Sequence, residues 1–79
     1  MTNYEYLLNL ENDGKLKPLI KSGVITSTIL NYFTIYKIYL YEEAHNRSKM
    51  DAMENVTITC RTSKDAVYRS IKMMRYELV

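Results

Sequence analysis

The stretch RTSKDAVYRSIKMMR, residues 61 to 75, carries five basic residues and a single acid. On a helix, Lys64, Arg69, Lys72 and Arg75 share one broad side with Asp65 and Tyr68, an arrangement suited to holding a polyanion by charge and by directional N–H bonds. Bond-breaking chemistry has little to draw on. His45 is the only histidine and Cys60 the only cysteine; no set of cysteine, histidine and carboxylate residues has metal-ligand spacing, and no glycine-rich loop could cradle a phosphate. His45 reads as a residue that offsets the dipole at a helix C-terminus, and Cys60 as a small apolar filler at a helix junction. The expectation is therefore no enzyme, no metal, no cofactor and no small-molecule substrate.

The charge is distributed unevenly. Residues 1 to 46 hold four basic and five acidic residues, a net of −1, whereas residues 47 to 79 hold seven and four, a net of +3. The C-terminal part is the one to meet an anionic partner. A length of 79 residues predicts one domain, near the size where a single apolar core just suffices. The lone cysteine excludes an internal disulfide and the opening residues lack the pattern of a secretory leader, which together predict a reducing, cytoplasmic setting. The most apolar run, VITSTILNYFTIYKIYLY at 24 to 41, contains Lys37, Asn31 and several hydroxyl residues that lipid would leave without partners. It predicts a buried helix and no membrane span.

The elements that must hold the basic stretch follow from caps and periodicity. Thr2 or Asn3 is the expected N-cap of a first short helix that stops at Gly14, and Pro18 suits the first turn of a second that ends at Gly23. A long central helix over 26 to 46 gathers Ile25, Ile29, Tyr32, Phe33, Tyr36, Tyr39 and Leu40 on one face. Leu30, Ile35, Ile38 and Tyr41 fall off that face, so a second surface is also apolar and is expected to meet the N-terminal segment or another subunit. After the polar break HNRSK, Ser48 caps a helix over 48 to 58 with Met50, Met53 and Val56 on one side. Its end, VTIT at 56 to 59, is β-branched and leaves helix or strand open. Thr62 or Ser63 then caps the last helix, 63 to 76. Val67, Ser70, Ile71, Met74 and Leu78 point inward, and Lys64, Asp65, Tyr68, Arg69, Lys72 and Arg75 outward.

A helix, a turn at Cys60 to Ser63 and a second helix with a basic outer face make the layout of a helix-turn-helix, over 48 to 76. The stretch TSKDAVYRSIKMM resembles the recognition helix of helix-turn-helix proteins with the pattern Ser-x-x-Thr-Val-Tyr-Arg, which is shared by recombinases, transposases and small bacterial or phage regulators. Ser63, Val67, Tyr68, Arg69 and Ile71 match it. The sequence departs from it at Arg61, where the family usually has glycine, and at Thr57, Thr62 and Ala66. The resemblance implies that Ser63, Lys64, Asp65, Tyr68, Arg69 and Lys72 face double-stranded DNA in the major groove. Arg75, on the same side, is expected to meet phosphate.

The fold expected is all-α, with this unit on the long central helix and no wing after it. The function expected is sequence-specific DNA binding by a small transcriptional regulator or a mobile-element or phage accessory factor. With so few cations, tight binding would require a homodimer or a larger protein partner. The competing expectation is a helical protein–protein interaction module that does not bind DNA.

Overall fold

Four of the five helices among the described residues begin where a hydroxyl replaces the partner missing from the first turn. In the computed structural model, which describes residues 1–46 and 48–78, these are α1 (Asn3–Asn12), α3 (Ser27–His45), α4 (Lys49–Cys60) and α5 (Lys64–Met74), capped by Thr2, Thr26, Ser48 and Ser63. Each cap hydroxyl accepts a backbone N–H at 3.1 to 3.3 Å, and such bonds contribute about 1 kcal/mol apiece. Thr2 and Glu5 complete a capping box, in which the Thr2 backbone N–H, donating to the Glu5 carboxylate at 2.9 Å, is the leading cause that holds that carboxyl below its usual range. The short α2 (Leu16–Lys21) has no side-chain cap, and α1 reaches it through a turn in which Gly14 adopts φ +73°. Arg47, in the predicted polar break, and Val79 lie outside the described residues.

The fold is all-α. Among the described residues the only β-type pairing is an isolated bridge between Thr2 and Glu77, and no helix is long and apolar enough to cross a membrane. The long α3 packs against both α4 and α5, which also touch each other. One cluster runs through them from Phe33, Ile35, Tyr36 and Tyr39 to Ala52, Met53 and Val56 and on to Val67, Ile71 and Met74. The α1 helix joins it through Tyr4, whose ring meets Tyr36 edge-on at 4.9 Å and Phe33 at 5.6 Å, and through the Glu11–Lys37 pair at 2.6 Å. Tyrosines thus build much of the boundary between core and rim.

One open reading is settled and several expectations change. Residues 56 to 59 are helical, and Val56 is wholly buried; burial of one aliphatic side chain outweighs the few tenths of a kcal/mol that each β-branched residue costs a helix. Ile35 belongs to the core, at 2% exposure, because α4 and α5 together cover more of α3 than one face. Leu30 and Ile38 are half-buried against the same core, so of the second apolar surface only Tyr41 stands out, stacked on His45 at 4.2 Å. Met50 lies outside, 74% exposed in the first turn of α4. Leu78 is 44% exposed, because α5 stops at Met74 and the chain beyond it turns to run beside the N-terminus.

Candidate nucleic-acid interface

The α5 helix is held on its inner side by close packing. Val67, Ser70, Ile71 and Met74 are all buried, and the Ser70 hydroxyl donates to the Tyr32 carbonyl of α3 at 2.6 Å. Its start is fixed by the turn from α4. Arg61 adopts a left-handed conformation, φ 51° and ψ 50°, and the Thr62 N–H reaches back to the Thr57 carbonyl at 3.1 Å. Those bonds close the end of α4, and Ser63 caps α5 two residues beyond Arg61. Its far end is tied to the start of the chain. The Asn3 side chain donates to the Met73 carbonyl at 2.8 Å, the Asn3 N–H to the Tyr76 carbonyl at 3.0 Å, and the Leu78 N–H to the Met1 carbonyl at 2.9 Å. Nothing in the sequence pattern signalled this tie.

The opposite side of α5 is free. Lys64, Asp65, Tyr68, Arg69 and Lys72 are all exposed and lie together, while Ser63 is occupied by its cap bond to Ala66. Arg69 pairs with Asp65 at 3.1 Å, with both side chains about 70% exposed. Such an exposed i,i+4 pair contributes only a few tenths of a kcal/mol and exchanges readily for another anion. Among the described residues, neither Lys64 nor Lys72 is paired with a carboxylate. Lys49, at the start of α4, brings its ammonium to 6.0 Å from the Tyr68 ring and extends the cationic surface across the turn. The sequence reading missed Lys49; its place directly after a predicted N-cap, in the first helix of the pair, was the available signal.

Arg75 stands apart from the others. Its Nε donates to the Tyr36 hydroxyl at 3.0 Å, its terminal nitrogen lies 3.7 Å from Glu43, and its guanidinium sits over the Tyr36 and Tyr39 rings at 5.8 and 6.0 Å. The hydrogen bond it donates to Tyr36 is the leading cause of a guanidinium pKa raised above its ordinary value. Arg75 therefore serves as a strut from the end of α5 to α3. Cys60 is half-buried at the α4 end, and burial pushes its thiol up, away from reactive thiolate behaviour. Among the described residues no group of three histidine, cysteine or carboxylate side chains could hold a metal ion.

The site is thus a rigidly seated helix presenting three cations, one acid and one tyrosine to solvent, with a fourth cation from the neighbouring helix. Comparison with protein-family models, with curated proteins and with solved structures finds no match for this chain.

Proposed function

We propose that α4, the turn Arg61–Ser63 and α5 act as a helix-turn-helix that binds double-stranded DNA sequence-specifically, with α5 in the major groove. The observation that carries this reading is the division of α5: one side is locked onto α3, and the other exposes Lys64, Asp65, Tyr68, Arg69 and Lys72 together. An α-helix with its side chains, roughly 10–12 Å across, suits a groove roughly 12 Å wide. Residues 64 to 72 advance about 12 Å, enough to read three or four base pairs. Lys64 and Arg69, in the first two turns, meet base edges, and Lys72 and Lys49 meet phosphate on either flank. A single copy offers few phosphate contacts, so binding is weak and salt-dependent, and a second copy or a larger protein supplies the rest. Such a protein works as a small transcriptional regulator or as a phage or mobile-element accessory factor in the cytoplasm, where Cys60 stays a free thiol.

The test is a selection from randomised duplexes, followed by binding at two or more salt concentrations for the wild type and the Arg69→Ala, Lys72→Ala double variant. An enriched site that the double variant binds at least about tenfold more weakly supports the reading. Equal binding by the two proteins makes α5 an ordinary solvated helix. A specific observation then favours the second reading, a helical protein–protein interaction module: Met50 and Ile58 of α4 and Tyr41 of α3 are large, apolar and each more than 60% exposed.

A further inference from the structure

Beside the basic face of α5 lies a feature whose apolar walls DNA contact does not use. A shallow groove of about 430 Å³, wide open to solvent, runs between the C-terminal half of α5, the start of α1 and the first half of α3. Its walls are Tyr32, Met73, Tyr76 and Asn3, and its edge is Arg69 and Lys72. It adjoins a second depression of about 300 Å³ that shares Asn3 and Met73 and extends to Tyr6, Ile25 and Ile29. We propose that this double groove docks an acidic amphipathic helix from a partner protein.

Three observations commit it to that occupant. The lining exposes almost only apolar surface, and Tyr76, 66% exposed, and Met73 supply side chains of the kind that dominate the centres of protein interfaces. The two depressions adjoin and lie open, which suits successive apolar side chains along one side of a helix; a small molecule would need closer enclosure. Among the described residues, the only charged ones lining the first are cations, Arg69 and Lys72, so the complementary occupant carries acids beside its apolar stripe. Arg69 changes partner at little cost, since its present pair with Asp65 is exposed to water.

A consequence rests on the DNA-binding reading. Arg69 and Lys72 belong both to the groove edge and to the exposed face of α5. An acidic helix seated in the groove occupies these two cations and places negative charge where the duplex would lie. Partner and DNA then exclude each other.

The experiment is a peptide-display selection against the full chain without DNA, followed by affinity measurements on the synthesised winners. Winners with apolar residues at i, i+3 or i+4 and i+7 and a majority of Asp and Glu among their charges are expected, shifting the amide resonances of Met73 and Tyr76. Tyr76→Ser, a change at an exposed residue outside the helices, is expected to weaken them at least about tenfold while duplex affinity stays unchanged. Peptide at about nine times its own dissociation constant should raise the apparent Kd for duplex about tenfold. No enrichment, winners that are neutral or basic, or winners indifferent to Tyr76→Ser overturn the docking site. Peptides that pass those checks yet leave duplex affinity unchanged overturn the exclusion alone. A chain that binds no duplex at all removes the DNA reading, while the peptide affinities still decide the docking site.

Discussion

Ser70 of α5 donates its hydroxyl to the backbone carbonyl of Tyr32 in α3 at 2.6 Å, with its own side chain wholly buried. A side chain this short can make that bond only where two helices approach closely, so Ser70 marks the point that sets the height of α5 on α3. Ser70→Ala removes the bond but leaves the Tyr32 carbonyl its helical partner, and should cost about 1 kcal/mol in urea denaturation. Ser70→Leu forces extra carbons into a filled site and should cost about 1–3 kcal/mol, with the larger loss at the α3–α5 contact. Equal costs for the two variants would show that α5 can lift without penalty.

Arg61 holds a left-handed backbone, φ 51°, in the turn that aims α5. A side chain in that region is strained, whereas glycine is not. Arg61→Gly should therefore stabilise the fold by about 0.5–1 kcal/mol, and Arg61→Ile should destabilise it by about 1 kcal/mol or more, both read from chemical denaturation. Glycine is the residue that this conformation favours. A loss of stability in Arg61→Gly would mean that the Arg61 side chain contributes more than its backbone strain costs.

What the sequence revealed and what it concealed divide along physical lines. Caps and stops depend on one residue and its near neighbours, so Ser48, Gly14 and Gly23 could be read directly and the caps at Thr2 and Ser63 each narrowed to one of two adjacent residues. The inward side of α5 was legible because Val67, Ser70, Ile71 and Met74 repeat at helical spacing between polar residues. The central helix was harder. It is apolar nearly all round, and a wheel cannot say that Ile35 is covered while Tyr41 is not. The helical state of Val56 to Thr59 came from tertiary burial, which local β-branching does not register. The partners of Arg75, on residues 32 and 39 positions earlier in the chain, depend on tertiary contact and were invisible to helical spacing.

Tyr39 gives a handle on the core at high pH. Burial first, then its hydrogen bond to Glu43 at 2.7 Å, pushes the Tyr39 hydroxyl up to about 12. The folded state holds this proton more tightly than the unfolded chain, whose tyrosine titrates near 10. Its contribution to stability is thus complete below about pH 10 and is lost as pH rises towards 12; it amounts to on the order of 2 kcal/mol. Urea midpoints at pH 9 and pH 11 should fall more for wild type than for Tyr39→Phe, which has no such proton to lose. Identical falls would place the alkaline sensitivity elsewhere.

The cations of α5 should separate into three behaviours if the helix enters a major groove. Arg69→Ala should cost about 1–3 kcal/mol on the preferred site and flatten preference at one base pair, since an arginine in the first two turns grips guanine through two bonds. Lys72→Ala should weaken all sequences alike and reduce the salt slope by roughly one ion. Arg75→Met should do neither. Its guanidinium is bonded to Tyr36 and lies near Glu43, so its loss should lower stability by about 1 kcal/mol and leave the salt slope as in wild type. These slopes come from affinities measured at several salt concentrations, and the stability from denaturation of the same samples. A slope lowered in Arg75→Met as much as in Lys72→Ala would mean that the arginine leaves Tyr36 for phosphate when DNA arrives, and that the strut is broken in the bound state.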